Sequence, residues 1–209
     1  MLHFFDLANA ISLVALLSAA ACSWFSISGR PAYGIIALIV SGLADLVDGQ
    51  VARRLPRTDE QKQFGRNMDS LVDACSFGLA PVALLYAIGL NQWFDLALLG
   101  LFLCCAVWRL AYFDTVGMET ASSARYFIGL PTTYVALVLP LVFLTVFAST
   151  FWLYLSLRVA TLVLALAMVS PLRCRKPGLL VYAFFLLLAI GVASVLILQG
   201  PQIHRQLRM

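Results

Sequence analysis

Seven stretches of this 209-residue chain stay apolar for roughly 18 to 24 residues, the length needed to cross about 30 Å of hydrocarbon in α-helical geometry. They read as spans at Leu7–Ile27, Tyr33–Ala52, Met68–Leu90, Asp95–Phe113, Leu130–Phe147, Phe151–Ser170 and Leu179–Leu198. Charged residues make up 11% of the chain and hydrophobic ones 62%. A soluble domain spends about a quarter of its residues on charge, so this chain lacks the polar surface to coat a water-soluble globule. The expectation is an all-α, polytopic transmembrane bundle of six to seven spans, forming one domain over residues 1–209. The division at Ala148–Ser149–Thr150 separates the sixth span from the fifth by a very short connection. The first apolar run has no basic segment before it and reads as a span, not as a cleaved leader.

Basic residues in short loops set orientation. Arg53, Arg54, Arg57, Lys62 and Arg66 cluster between spans two and three, Arg125 lies between four and five, and Arg173, Arg175 and Lys176 lie between six and seven. These loops share one side, which the rule assigns to the cytoplasm. A seven-span count puts Arg205 and Arg208 on the other side, so either the tail is tolerated there or one span does not fully cross. The net charge of +4 reports this asymmetry and gives no reason to invoke nucleic acid. The five cysteines show no spacing suited to a metal or a disulfide framework.

Of ten acidic residues, four fall within 29 positions, Asp45, Asp48, Asp69 and Asp73, all in or beside apolar spans. An ionised carboxylate in hydrocarbon costs several kcal/mol unless paired, hydrated or metal-bound. At about 100° per residue, Asp45, Asp48, Gly49 and Ala52 share one face of the second helix. Gly65, Asp69, Asp73 and Ser76 form a similar stripe on the third. A short basic loop joins the two helices, so they run antiparallel and their acidic faces can meet near the cytoplasmic end. Four carboxylates need countercharge, and Mg²⁺ or Mn²⁺, hard cations preferring oxygen ligands, would supply it. Gly49, Ala52 and Gly65 leave room for a bulky group, and Arg53 is placed to meet a phosphate. Together they describe a diphosphate site. Two blander readings compete: small and acidic residues that merely join helices, and a cation channel or transporter, which would spread its carboxylates over several depths.

Asp45-x-x-Asp48-Gly49-x-x-Ala52-Arg53, followed by Gly65-x-x-x-Asp69-x-x-x-Asp73, resembles the signature of the CDP-alcohol phosphotransferases. Eleven residues separate Arg53 from Gly65, more than the family usually has, and the extra length around Thr58–Gln63 reads as a loop insertion. Ala8-Asn9-Ala10-Ile11-Ser12 resembles the family's usual Asn-x-x-Thr/Ser opening of the first helix, while the run Met68–Pro81, Arg109-Leu110-Ala111 and Phe127-x-Gly129-Leu130-Pro131 are similar to the bacterial and archaeal phosphatidylserine synthase branch in particular. Tyr112 and Asp114 stand where that branch commonly has arginine and asparagine. The resemblance covers roughly residues 6–135.

The resemblance implies a homodimeric enzyme of a prokaryotic cell membrane. It would transfer a phosphatidyl group from CDP-diacylglycerol to L-serine at a site facing the cytoplasm. Asp45, Asp48, Asp69 and Asp73 would hold two metal ions, with Asp73 also the candidate base. Asn9, Gly49, Ala52, Arg53 and Gly65 would border the nucleotide and diphosphate. Ser76, Arg109 and Arg125 are candidates for binding the acceptor or a phosphate. Glycerol 3-phosphate, inositol phosphate and choline are the alternative acceptors. Arg158 reads as pairing across a helix or dimer contact, Asp114 and Glu119 as a solvated loop, and His3 and His204 as terminal bystanders.

Overall fold

The computed structural model describes the backbone of residues 2–116, 119–121, 124–175 and 179–206, and side chains over 3–116, 128–172 and 186–199. Its helices are α1 (Leu7–Ile27), α2 (Pro31–Ala52), α3 (Asp59–Asp73), α4 (Ala80–Ile88), α5 (Trp93–Val116), α6 (Val135–Phe143), α7 (Thr150–Val169) and α8 (Leu179–Gln206). The described residues include five helical segments long and apolar enough to cross a membrane, with α3 and α4 counted as one segment, Asp59–Ile88. Two shorter apolar segments, Thr132–Phe147 and Leu186–Gln199, fall in the remaining expected spans. The first of these carries 3₁₀ turns at Thr132–Tyr134 and Leu144–Phe147. At about 2.0 Å rise per 3₁₀ residue it extends roughly 27 Å, close to the hydrocarbon thickness. Apolar side chains such as Leu17, Trp24, Leu71, Trp108 and Leu198 face outward, as a lipid-facing surface requires.

The bundle is helical, and a small antiparallel ribbon lies in its connections. β1 (Glu119–Ala121) pairs with β2 (Ala124–Ile128), and β2 pairs with β3 (Arg173–Arg175), joining the α5–α6 connection to the α7–α8 connection. Arg125 and Glu119 lie on these strands, and their side chains fall outside the described residues, as do those of His204 and Cys174.

Helix α1 packs most extensively against α2. Its buried positions are Ala8, Asn9, Ser12, Ala15, Ala19, Cys22 and Ser26, a stripe of small side chains at alternating steps of three and four. Facing them, α2 buries Gly34, Ala37, Leu38 and Ser41, while its Gly42 faces α6. Small residues let backbones approach closely where hydrocarbon offers no hydrophobic drive between helices. A Cβ on Gly34 would overlap Ser26 Oγ, and one on Gly42 would stand 2.6 Å from Ala136 Cβ. Ser41 Oγ donates to the Ala15 carbonyl at 2.9 Å, tying the seam at mid-depth.

The third span departs from its expected form at both ends. Asp59–Gln63 are the opening turns of α3 and not an inserted loop. Thr58 accepts from the Gln61 N–H, and Gln61 Oε1 accepts from the Thr58 N–H at 3.0 Å, a capping box that starts the helix early. The connection therefore shrinks to Arg53–Thr58. Further along, Ala74–Leu79 form a π-helical turn, in which the Ala80 N–H donates to the Cys75 carbonyl five residues back. Pro81 follows directly. It lacks an N–H, and its ring crowds the carbonyl four residues earlier, a conflict that a widened turn relieves.

At the far end of the bundle, Arg158 of α7 makes a two-pronged pair with Asp95 of α5, Nε to Oδ1 at 2.7 Å and a second contact at 3.0 Å. The Arg158 guanidinium also sits 5.0 Å from the Phe94 ring centroid. The expectation of a cross-helix partner holds. Asp95 is fully buried while Arg158 keeps 32% of its side chain exposed. Asp95→Leu should therefore destabilise by about 3 kcal/mol, the low end for breaking a buried pair, read as an earlier thermal transition in detergent. Gly42→Ala should cost about 1–3 kcal/mol through overpacking. Gly100→Ala, where a Cβ meets nothing within 4 Å, should cost nothing in the same assay.

Candidate active site

The last two turns of α2 carry Asp45 and Asp48, and the second half of α3 carries Asp69 and Asp73. The short connection turns the chain back on itself and brings these segments together as their face periodicity requires. One carboxylate oxygen each from Asp45, Asp48 and Asp69 lies within 4.8 Å of the others. Two oxygens on opposite sides of a hard divalent cation are about 4 to 5 Å apart, twice the usual bond length. The all-oxygen donor set and its spacing therefore fit such an ion. Asp73 reaches across to Asp45 at hydrogen-bonding distance, while its Oδ1 is buried with no partner among the described residues.

Neighbouring groups hold each carboxylate in place. Ser12 Oγ on α1 donates to Asp48 Oδ2 at 2.6 Å. The Thr133 hydroxyl stands close to the Asp45 carboxylate, and the buried Arg109 guanidinium supplies positive charge to Asp45 and Asp73. Arg109 also lies over the Phe113 ring, 5.1 Å from its centroid. It is an interior residue of the cluster and does not snorkel to the interface.

Thr133 is delivered by an unusual piece of chain. Gly129 has φ +75°, and a Cβ there would overlap the Met168 carbonyl oxygen at the end of α7. The Gly129 and Leu130 N–H groups donate to the Leu172 and Ala167 carbonyls. Pro131 then opens the Thr132–Tyr134 turn, which packs on the π-helical turn and on α5. Thr132 Oγ1 and Ser76 Oγ are both fully buried and have no partner among the described residues. With Asp73 Oδ1 they make three buried oxygen atoms on these adjoining elements that await a polar group.

The other expected positions divide. A Cβ on Gly49 would meet nothing within 4 Å, so packing within the chain does not require a glycine there. Arg53 caps α2 and is exposed, as a phosphate-facing residue needs, and Ala52 is half-buried beside it. Gly65 faces Asn9 Oδ1 and Arg57 Nη1, 3.3 and 3.1 Å from where a Cβ would stand. Asp114 is not in a loop. It lies in the last turn of α5, accepts from Ser70 Oγ at 2.8 Å, and its charge acts on Asp69. Sequence reasoning missed Thr132, Thr133 and Arg57. The first two follow Gly129-Leu130-Pro131 as the polar residues opening an apolar stretch, which is the signal the sequence carries for them.

Asp6, at the start of α1, is partly buried, which opposes ionisation, yet Arg57 and the Asn9 N–H hold its carboxyl below the usual 3.8. The stability this pair adds is present above that value and is lost as pH falls through the lowered one.

Losing a polar group that orients a metal ligand commonly weakens metal binding 10- to 100-fold. For an ion held by the Asp45 cluster, Thr133→Val is expected to weaken Mn²⁺ binding by about tenfold, measured by the electron paramagnetic resonance of free Mn²⁺, with the thermal midpoint little changed.

The family model described as CDP-alcohol phosphatidyltransferase matches residues 5–197. A CDP-diacylglycerol–serine O-phosphatidyltransferase of Saccharomyces cerevisiae is 37% identical over 131 residues, 58% of this chain and 46% of the relative. An archaetidylserine synthase of Methanothermobacter thermautotrophicus is 33% identical over 147 residues, 70% of this chain and 61% of the relative. A CDP-diacylglycerol–serine O-phosphatidyltransferase of Methanocaldococcus jannaschii is 31% identical over 162 residues, covering 76% and 72%. The alignments cover 46% of the Saccharomyces relative and 61% of the Methanothermobacter one, so the chain spans about half the length of several relatives it matches.

Proposed function

The chain belongs to the CDP-alcohol phosphatidyltransferase family, and from that premise we propose that it transfers a phosphatidyl group from CDP-diacylglycerol to L-serine. The products are phosphatidylserine and CMP. The observation that carries the reading is the convergence of Asp45, Asp48 and Asp69 on one point, with Asp73 beside them. A channel needs carboxylates along a path, whereas these gather at one end of a helix pair.

Asp45, Asp48 and Asp69 would hold divalent metal, Mg²⁺ or Mn²⁺, with Asp73 completing a site for a second ion. Metal bound there would supply countercharge to the diphosphate and acidify the acceptor hydroxyl. Asn9, Gly49, Ala52 and Gly65 border the nucleotide, and Arg53 meets a phosphate from the cytoplasmic side. The serine oxygen attacks the lipid-side phosphorus in line, and the bond from that phosphorus to the CMP phosphate oxygen breaks. Asp73, through Oδ1, takes the hydroxyl proton. A carboxylate is a weak base, and the step works because the hydroxyl's own pKa is lowered in place. Ser76, Thr132 and Arg109 lie where the acceptor's polar groups need partners, and Arg125 is a further candidate for its carboxylate. The acyl chains stay in the bilayer of a prokaryotic cell membrane while the headgroups react at its cytoplasmic surface. The working unit is a homodimer.

A second reading keeps the reaction and changes the acceptor to glycerol 3-phosphate, inositol phosphate or choline. Its support is Asp114, which stands beside Asp69 where the serine-using branch commonly carries asparagine, and whose negative charge favours the cationic choline among these.

The test is CMP release by purified protein in detergent with Mn²⁺ or Mg²⁺ and CDP-diacylglycerol, across a panel of alcohols. Release that requires both metal and L-serine is expected. Release with another alcohol replaces the acceptor, and no release with any alcohol overturns the transferase reading. Asp69→Asn should lower the rate at least 100-fold while the protein stays monodisperse and membrane-inserted, because its charge serves metal and not packing. Full activity of that variant would remove Asp69 from the metal site.

A further inference from the structure

Arg57 belongs to no recognised motif. It stands in the Arg53–Thr58 connection, directly after Pro56, whose ring restricts the backbone there. Despite this loop position its side chain is 7% exposed. Nη2 is fixed by Asp6 Oδ1 at 2.6 Å and by Asn9 Oδ1 at 3.3 Å. Nη1 points at the open face of Gly65, 3.1 Å from where a Cβ would stand, and its charge acts on Asp48. Nε is buried with no partner among the described residues.

The surroundings look built to hold this guanidinium still. Asn9 is anchored from its other end by Nδ2 donating to the Phe4 carbonyl at 2.8 Å. Gln61 Nε2 donates to the His3 carbonyl at 2.8 Å, and the Phe4 and Phe64 rings stack at 4.7 Å. The segment ahead of α1 is thereby tied to the opening turns of α3. One edge of the guanidinium is committed to Asp6 and Asn9. The Nη1 and Nε donors are not, and none of the described hydrogen bonds uses them. A buried guanidinium with spare N–H donors suits an anionic or carbonyl acceptor.

We propose that Arg57 is a nucleotide-contacting residue, its Nη1 group binding the CMP portion of the CDP-lipid between Gly65, Asn9 and the Asp48 carboxylate. This rests on the transferase reading above. The group recognised is an acceptor-rich one, either a phosphate or the cytosine carbonyl edge. Asp6 is the positioning residue, and the connection after α2 acts as part of the site.

The experiment measures binding of CMP and of cytidine to the purified full chain in detergent with Mn²⁺, alongside KM for CDP-diacylglycerol and for the acceptor. Arg57→Ala is expected to weaken CMP binding about tenfold or more and to raise KM for CDP-diacylglycerol, leaving the acceptor KM unchanged. Weakening of CMP alone places the contact on phosphate, and weakening of cytidine as well places it on the base. Arg57→Ala is also made in an Asp6→Asn background. A further loss there supports direct contact, while no further loss means that Arg57 acts only by fastening the chain ahead of α1, which overturns the proposal. Wild-type CMP affinity in Arg57→Ala overturns it too. If Arg57→Ala is not monodisperse, Arg57→Lys, which keeps a charge for Asp6 and loses the fork, is read by the same criteria. Failure of the wild-type protein to bind CMP at all would instead bring down the transferase reading on which Arg57 depends.

Discussion

Three carboxylates with oxygens inside 4.8 Å, and a fourth touching them, would repel strongly in a setting of low dielectric. Everything near the α2–α3 pair answers that repulsion. Ser12 comes from α1, Thr133 from the turn before α6, Arg109 from α5 and Arg57 from the loop, each giving a donor or a positive charge. These groups orient the carboxylates and offset part of their charge. A hard divalent cation would offset far more, and the all-oxygen donor set fits one.

Such a cluster works only if the helices that bear it approach closely and stay put. The small-residue seam between α1 and α2 provides the approach. Ser12 reaches Asp48 because Ala8, Ala15 and Ala19 let the two backbones come near, and Ser41 fastens them midway. The π-helical turn after Asp73 changes the register of the third span just past the site. Asp69 and Asp73 face α2, while Phe77, Ala80 and Leu84 still fill the core. The Asp95–Arg158 pair, at the other end of α5, locks α5 to α7 without touching the chemistry.

Much of this is legible in the chain. Asp45 and Asp48 lie one turn apart and Asp69 and Asp73 lie one turn apart, so helical periodicity alone places each pair on one face. The bounds of α1 follow from the apolar run Leu7–Ile27 without adjustment. Less legible is the third span, whose start depends on a capping box and whose middle depends on how Pro81 is relieved. Hydropathy records neither, since Asp59–Gln63 are as polar in a helix as in a loop. The β1–β2–β3 ribbon was also out of reach, because it pairs residues from two distant connections.

The sequence by itself determined the membrane class, the number of apolar segments and the four aspartates, because these depend on composition and on short-range helical geometry. Tertiary structure alone decided which third parties complete the site. Thr133 is 88 positions from Asp45, and Ser12 is 36 from Asp48. Arg57 meets Asp6 across 51 positions. A serine, a threonine or a loop arginine carries no mark of such a role in its own neighbourhood. Its partner is chosen by how whole helices pack, and that packing is set by many side chains at once.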